Sequence, residues 1–228
     1  MKLAGMQKLT LLDFPSVVAC VAFTKGCNFR CPFCHNASLV CGNNTDSLTE
    51  EDVLSFLKQR AGILEGIVVT GGEPLLHNDI PDFFRRIKEL GYLIKLDTNG
   101  TNPRMLEELI DESLVDYVAM DIKNCKERYA ETAGIDDLDL AKICESVDLL
   151  LSGAVEYELR TTVVRQLHTA DDMIAIAKWI KGARAYYLQT FKDSGDLIKP
   201  GFDGYSEAEM KVILRGIFTY IPNAQIRG

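Results

Sequence analysis

The sequence predicts an α/β fold in which six parallel strands form a sheet and the helices lie outside it. Apolar runs of strand length alternate with segments whose apolar residues recur at helical spacing, and this order calls for a parallel sheet. Several of the runs lack polar alternation, as expected for strands covered on both faces. Six strand–helix units are too few to close a barrel of eight, so the sheet is either open and doubly wound or an incomplete barrel.

Six apolar runs rich in Val, Ile, Leu and Tyr are predicted to be the strands. In chain order they are 16–23, 66–70, 92–97, 117–122, 157–164 and 185–191. Capping residues mark where five helices begin, and these are Thr49, Asp79, Asn102, Thr169 and Ser206. An acidic residue three positions after Thr49, Thr169 and Ser206 predicts a capping box at each of them. A further helix is predicted over 138–152, and 192–205 is predicted to be a surface loop.

The bulk composition limits the class of protein. The chain has 228 residues, of which 47% are hydrophobic and 25% charged, an ordinary balance for one soluble domain. The net charge is −8 and there is no basic cluster, so nucleic-acid binding through phosphate neutralisation is not expected. No signal peptide and no apolar run long enough to cross a membrane is visible. Seven cysteines, an odd number, favour reduced thiols in the cytoplasm over a disulfide framework.

Polar residues follow the predicted strands at the points where the strands end. After the first strand comes a cysteine-containing loop, and the later strands end in or contain polar segments at 70–74, 97–100, 120–123, 160–163 and 188–191. In a parallel arrangement these residues meet at one mouth of the sheet. Isolated charges are costly in such a place unless a ligand or a partner charge compensates them. The sequence therefore predicts a ligand site at this mouth.

Three closely spaced cysteines, Cys27, Cys31 and Cys34, indicate what the ligand is. A structural zinc site usually has four protein ligands, so zinc would need His35 or Cys41 as a fourth. A disulfide would pair two of the cysteines and leave one over. A cubane iron–sulfur cluster needs thiolates on separate irons, and three thiolates leave one iron with an open position.

The motif Cys27-x3-Cys31-x2-Cys34, with Phe33 before the last cysteine, resembles the cluster-binding loop of the radical S-adenosylmethionine (SAM) superfamily. Gly71-Gly72-Glu73-Pro74, with 36 residues between Cys34 and Gly71, strengthens the resemblance. The resemblance continues in the segments 97–100 and 121–123. It covers the whole chain, from the segment 9–15 to the segment 222–228. Within the superfamily the sequence is most similar to activating proteins of anaerobic ribonucleoside-triphosphate reductase, with pyruvate formate-lyase activating enzymes as near relatives.

The resemblance implies a single radical SAM domain over 1–228, folded as an incomplete (β/α)6 TIM-like barrel. It implies a [4Fe–4S] cluster on Cys27, Cys31 and Cys34, whose open iron chelates SAM. A flavodoxin or ferredoxin would supply an electron, SAM would be cleaved reductively, and the resulting 5′-deoxyadenosyl radical would take a hydrogen from a glycine of a partner enzyme. The partner implied first is anaerobic ribonucleoside-triphosphate reductase.

The same resemblance implies roles for the polar residues that follow the strands. Gly71 and Gly72 let the backbone pass close to SAM, and the Glu73 carboxylate accepts a hydrogen bond from the SAM ammonium group. Thr98 and Asn99 bond the ribose or the carboxylate of SAM.

The remaining predicted site residues flank the last cysteine or follow later strands. Phe33 and Asn36 belong to the cluster loop and to the cofactor-binding set. Lys123, placed with the cysteines in the catalytic set, pairs with Asp121 or with the SAM carboxylate. Arg160 offers a fork suited to the same planar anion.

A monovalent cation is a further expectation at this mouth. Asp97 and Asp121 both end apolar strands, and two carboxylates at one mouth repel unless a cation lies between them. The predicted cation site also uses the Met120 carbonyl and Thr98.

Two other functions compete with glycyl-radical activation. One keeps the radical chemistry and changes the substrate to another glycyl-radical enzyme, a peptide or a small molecule; no cysteine follows Cys144, whereas peptide-modifying relatives often carry additional cysteine clusters there. The other is a zinc-binding interaction module without catalysis, which leaves the polar residues of the middle strands unexplained.

Overall fold

The computed structural model describes residues 1–42, 47–193 and 195–228. Within these ranges nine strands form one sheet, in the spatial order β3-β1-β2-β4-β5-β6-β7-β8-β9. The strands are β1 (Lys2–Thr10), β2 (Ala19–Thr24), β3 (Leu48–Thr49), β4 (Gly66–Gly71), β5 (Leu93–Thr98), β6 (Tyr117–Asp121), β7 (Glu156–Val163), β8 (Tyr186–Thr190) and β9 (Ala224–Arg227).

The sheet is mostly parallel, as predicted. The ladders from β2 through β4, β5, β6, β7 and β8 to β9 are all parallel. The six predicted strands are confirmed within three residues of their predicted bounds. β3 and β9 are the two edges of the sheet, so the sheet of the described residues is not closed. This confirms the incomplete barrel.

Eight α-helices of the described ranges accompany the strands. They are α1 (Ala37–Val40), α2 (Glu50–Gln59), α3 (Ile80–Glu89), α4 (Pro103–Asp111), α5 (Tyr129–Ala133), α6 (Leu140–Leu151), α7 (Ala170–Trp179) and α8 (Glu207–Ile217). The capping boxes predicted for α2, α7 and α8 are all formed, and the Asn102 side chain accepts a hydrogen bond from the Met105 amide at 3.3 Å. Asp79 makes no side-chain cap; its carboxylate contacts the terminal amine of Met1 instead.

Three strands were not predicted. β1 is antiparallel to β2, the two-residue β3 is antiparallel to β1, and β9 extends the opposite edge. β1 carries Lys and Gln, and β3 and β9 have two and four residues. Strands this short or this polar depend on hydrogen bonds to their neighbours more than on their own apolar pattern, which is why the pattern did not reveal them.

The two faces of the sheet have different surroundings. One face packs against the helices, and its buried residues form the main core, including Ile94 and Leu96 of β5. On the other face of β5 lie Lys95 and Asp97, because successive strand residues point to opposite sides. Arg160 of β7 reaches Asp97 across the intervening strand β6, so this face is concave. No helix in the described parts of the chain combines the length and apolar character needed to cross a membrane.

Candidate active site

A cavity of about 210 Å³ opens where the parallel strands end. Its walls come from the loop after β2, from the carboxyl ends of β4, β5 and β6, and from β7. Of the fifteen predicted site residues, thirteen line it, and Glu73 and Met120 do not. The structure therefore brings the predicted residues together, although their roles towards a ligand stay predictions.

The three cysteines of the motif occupy one wall of the cavity. The loop that carries them turns tightly, with the Cys34 amide donating to the Cys31 carbonyl at 3.0 Å. Burial raises the pKa of the Cys27 thiol to about 11 and that of the Cys31 thiol to about 12, and it raises the pKa of Cys34 as well. Because metals bind the thiolate, metal binding here must displace protons.

The cysteine arrangement fits a cubane cluster. Within the described ranges no three His, Cys, Asp or Glu side chains converge closely enough to hold one metal ion. A cubane does not require this, because each thiolate binds a different iron. Cys41 is exposed and does not line the cavity. His35 does line it and stacks on Phe191, with ring centroids 5.1 Å apart.

Gly71 and Gly72 are required by the packing of the protein's own backbone. Gly71 has φ of +115°, and a Cβ there would lie 2.5 Å from the Thr24 amide nitrogen. A Cβ on Gly72 would lie 1.7 Å from the Gly26 carbonyl oxygen. In the structure they let the end of β4 pack directly against the start of the cysteine loop. Both glycines also line the cavity, and their predicted close approach to a ligand stays a prediction.

Glu73 lies behind the cavity wall and is 1% exposed. Its carboxylate accepts hydrogen bonds from the Leu75 amide at 3.0 Å, the Thr98 hydroxyl at 2.7 Å and the Asn99 amide at 2.7 Å. Burial raises its pKa to about 7 despite these hydrogen bonds. This placement does not support the predicted contact with a ligand ammonium group, since the carboxylate is directed at the β5 loop. Glu73 instead ties the segment after β4 to the end of β5.

Five charged side chains alternate in sign along one side of the concave face. Arg160 Nη1 lies 3.1 Å from Asp97 Oδ2, and its Nε lies 2.9 Å from Asp121 Oδ1. Lys95 contacts Asp97 at one end of the row, and Lys123 Nζ lies 3.0 Å from Asp121 Oδ2 at the other. This row, here called the charge row, has three positive and two negative members. With its members ionised, it carries one net positive charge.

The charge row changes the argument for a monovalent cation. The two carboxylates, Asp97 and Asp121, do lie near one another, as expected. The guanidinium of Arg160 sits between them, however, and supplies the compensating charge that the cation was invoked to provide. Thr98 donates its hydroxyl proton to Glu73. The repulsion between the carboxylates therefore no longer requires a bound ion.

The ionisation of the charge row follows from its pairing. Burial by itself raises the pKa of Asp121, but Arg160 and Lys123 outweigh it and hold that pKa well below its usual range. Burial lowers the pKa of Lys123, but attraction to Asp121 raises it above its usual range. Both groups are charged at neutral pH. The carbonyl of Lys123 also lies 2.7 Å from Nε2 of the buried His168, which anchors its backbone.

Four further residues line the cavity without having been given a role. Thr70 and Thr162 belong to the polar segments 70–74 and 160–163 that were predicted to meet at this mouth. Phe29 and Val40 are apolar wall residues with no distinguishing signal in the sequence.

The partial parallel barrel and its cavity, lined by a three-cysteine loop and by polar strand ends, define a cofactor-binding α/β enzyme. A sequence profile described as Radical SAM superfamily matches residues 21–180. The chain belongs to this superfamily and is a radical SAM enzyme, and membership implies a [4Fe–4S] cluster and SAM as cofactors.

The chain is similar to named proteins of this class. It is 34% identical, over 98% of its length, to “Putative glycyl-radical enzyme activating enzyme MJ1227” of Methanocaldococcus jannaschii, of which 95% is covered. It is 32% identical to “Probable GTP 3',8-cyclase” of Pyrococcus abyssi over 52% of this chain and 39% of that one. The crystal structure of Streptococcus suis SuiB bound to precursor peptide SuiA matches with a TM-score of 0.73 at 14% identity, over 91% of this chain. The chain spans 48% of SuiB, and this likeness shows the fold.

Proposed function

We propose that this radical SAM enzyme generates a glycyl radical on a partner enzyme, anaerobic ribonucleoside-triphosphate reductase being the first candidate. The observation that carries the proposal is the 34% identity to the Methanocaldococcus jannaschii protein along 98% of this chain. The two chains correspond almost end to end, so the likeness extends beyond the common catalytic core. A flavodoxin or ferredoxin as electron donor and a cytoplasmic location complete the proposal.

In the proposal, Cys27, Cys31 and Cys34 hold the [4Fe–4S] cluster. When bound, this group supplies the electron that splits SAM into methionine and a 5′-deoxyadenosyl radical. Cys31 is buried and Cys27 and Cys34 are partly buried, which limits the access of water to the metal. Gly71 and Gly72, at the end of β4, keep the cysteine loop against the sheet.

The charge row is proposed to position SAM. One net positive charge remains after its internal pairs are formed, and an anion binding beside Lys123 or Arg160 balances it. The carboxylate of SAM has the right charge, and the guanidinium fork and the ammonium are the donors that suit it. We keep Asp97 and Asp121 as candidate ligands of a monovalent cation, although Arg160 already neutralises them.

The decisive experiment is anaerobic reconstitution followed by incubation with a reductant, SAM and the candidate reductase. We expect an absorbance shoulder at about 400 nm, release of 5′-deoxyadenosine, and a glycyl radical detected by EPR on the reductase. Cys31→Ala should lose all three signals. Cys144→Ala, a change of the same kind in α6 away from the cavity, should keep them.

Each alternative has its own outcome in this experiment. Release of 5′-deoxyadenosine without a radical on the reductase excludes that partner, and the assay is then repeated with pyruvate formate-lyase. A small-molecule substrate is the second candidate, supported by the 32% identity to the Pyrococcus abyssi cyclase over half of this chain. A colourless protein that takes up zinc and never iron would contradict the radical mechanism.

A further inference from the structure

The side-chain amide of Asn99 has a defined orientation. Its Oδ1 accepts hydrogen bonds from the backbone amide of Thr101 at 3.1 Å and from the Thr101 hydroxyl at 2.8 Å. A backbone N–H can only donate, so the oxygen of the Asn99 amide must face Thr101. The NH₂ group is therefore on the opposite side.

The NH₂ group of Asn99 faces the first cysteine of the motif. Nδ2 donates to Asn28 Oδ1 at 2.8 Å and lies 3.8 Å from Cys27 Sγ, within hydrogen-bonding range of sulfur. Asn28 Nδ2 in turn donates to the Thr101 hydroxyl at 2.8 Å. The three side chains, Asn99, Asn28 and Thr101, thus form a closed ring of hydrogen bonds that keeps one N–H of Asn99 directed at the sulfur.

The backbone of Asn99 is also fixed by a hydrogen bond. Its backbone amide donates to the buried carboxylate of Glu73 at 2.7 Å, and its side chain is nearly inaccessible, with the whole residue 5% exposed. Both ends of the Asn99 amide therefore have partners within the protein. Asn99 also lines the cavity, and its predicted contact with the ribose or the carboxylate of SAM stays a prediction.

Cys27 differs from the other two cysteines in this respect. Its sulfur accepts from the backbone amide of Phe29 at 3.3 Å and from Asn99. Among the described residues, no side chain donates to the sulfur of Cys31 or Cys34. The Asn28 Oδ1 atom also lies 4.0 Å from Cys27 Sγ, but an amide oxygen can only accept. Among the described residues, Asn99 is therefore the side chain that directs an N–H donor at a motif sulfur.

We propose that Asn99 is a positioning residue that raises the reduction potential of the [4Fe–4S] cluster through its hydrogen bond to the sulfur of Cys27. This inference rests on the proposed function, because it requires the cluster on the three cysteines. A hydrogen bond to a ligating sulfur withdraws electron density and stabilises the reduced, more negative cluster. Glu73 acts one step further out, since it holds the backbone of Asn99 in place.

The test compares midpoint potentials measured by EPR-monitored redox titration without SAM. Asn99→Ala removes the donor, and Asn99→Asp replaces it with a carboxylate of the same shape, so both midpoints should become more negative, Asn99→Asp by the larger shift. Asn102→Asp is the matched control: it makes the same chemical change three residues away, where the amide donates to the Leu75 carbonyl and contacts no cysteine. Its midpoint should equal that of the wild type.

Iron content and SAM affinity, measured on the same samples, separate the outcomes. An unshifted midpoint with weakened SAM binding would show that Asn99 acts on SAM, and an equal shift in all three variants would show a general effect on the loop; either result overturns the proposal. If Asn99→Ala assembles no cluster, pulsed EPR on wild-type protein with ¹⁵N-labelled asparagine decides. Asn28 and Asn36 also carry the label near the cluster, so the expected result is that one weak coupling of the wild type is lost in Asn99→Asp while the others remain. A wild-type chain that binds no cubane would instead contradict the proposed function itself.

Discussion

Arg160 is the residue on which the charged side of the cavity depends. Its guanidinium separates Asp97 from Asp121 and is 12% exposed. In Arg160→Met the carboxylates of Asp97 and Asp121, whose side chains are 14% and 30% exposed, lose their shared partner and each keeps one lysine. We therefore expect the free energy of unfolding to fall by about 1–3 kcal/mol. Urea denaturation of the metal-free protein measures this.

The control for Arg160 is an arginine whose ion pair lies in solvent. Arg184 Nη1 is 3.8 Å from Glu156 Oε1, and the two side chains are 60% and 73% exposed. Arg184→Met should change the free energy of unfolding by less than about 1 kcal/mol. Equal losses in both variants would mean that burial of the charge row has no energetic consequence.

Glu73 makes the free energy of unfolding depend on pH. Burial raises its pKa from an ordinary 4.5 to about 7, so between these values only the folded chain holds the proton. The free energy of unfolding should therefore fall as pH rises through this window, by about 3 kcal/mol in total. Glu73→Gln removes this slope. Glu73→Gln also lowers the free energy of unfolding by an amount that does not depend on pH, because the NH₂ group of Gln faces the backbone N–H of Asn99.

The readout for Glu73 is the difference in unfolding free energy between wild type and Glu73→Gln at pH 5 and pH 8. The constant cost cancels in this comparison, and the wild type should lose its advantage as pH rises. A difference that stays the same at both pH values would show that the pKa of Glu73 in the folded chain is not raised.

At the scale of elements, two capping boxes of the same type differ in what they support. Asp172 completes the box of α7 and also accepts from Arg128 at 2.8 Å and from the buried thiol of Cys125 at 3.4 Å. Asp52 completes the box of α2, and among the residues that the structure describes its carboxylate bonds only to its own cap, Thr49. Asp172→Ala should lower the free energy of unfolding by about 1–3 kcal/mol, and Asp52→Ala by less. A larger effect at Asp52 would contradict this interpretation.

The elements also show how far the sequence could predict the molecule. The parallel strands were predictable because burial on both faces gives them long apolar runs, and the helices were predictable from their caps. The site was predictable because parallel strands bring their ends together. The internal partners of Glu73, Asn99 and Arg160 were not, since hydrogen bonds between separate loops leave no periodic pattern in the sequence. For the same reason the backbone packing that requires Gly71 and Gly72 was not predicted.

At the scale of the whole molecule, an ion pair joins the last strand to the interior of the barrel, in addition to its ladder with β8. Arg227 of β9 makes two contacts with Glu158 of β7, at 2.9 and 3.0 Å, and Glu158 is fully buried. Arg227→Met should lower the free energy of unfolding by about 2–3 kcal/mol. This is less than the loss expected on breaking a fully buried pair, because Arg227 is 39% exposed. In Arg227→Met the Glu158 carboxylate keeps Arg160 Nη1 at 3.9 Å as a distant basic partner. Adding Glu158→Gln removes this weakly compensated charge and should recover part of the loss. If the losses of the two single variants simply add in the double variant, Arg227 and Glu158 are not energetically coupled, and the interpretation is wrong.

The cysteine loop is where distant parts of the chain meet. The Arg30 amide donates to the Ala133 carbonyl at the end of α5, the Glu73 amide donates to Gly26, and the Lys199 amide donates to Pro32, each at 2.8 Å. Phe33 also packs edge-on against Phe202, with ring centroids 6.5 Å apart. A group that fixes this loop therefore stabilises contacts with α5, the end of β4 and the segment after β8 together.

Loading the cluster should accordingly raise the thermal stability of the whole chain. A ligand at a thousand times its dissociation constant stabilises the folded state by about 4 kcal/mol, or on the order of 10 °C in Tm for a chain of this size. Anaerobic calorimetry of the metal-free and reconstituted forms measures the shift, which Cys144→Ala should keep and Cys31→Ala should lose. Equal Tm values for the two wild-type forms at full iron content would mean that the loop is as well ordered without the cluster as with it.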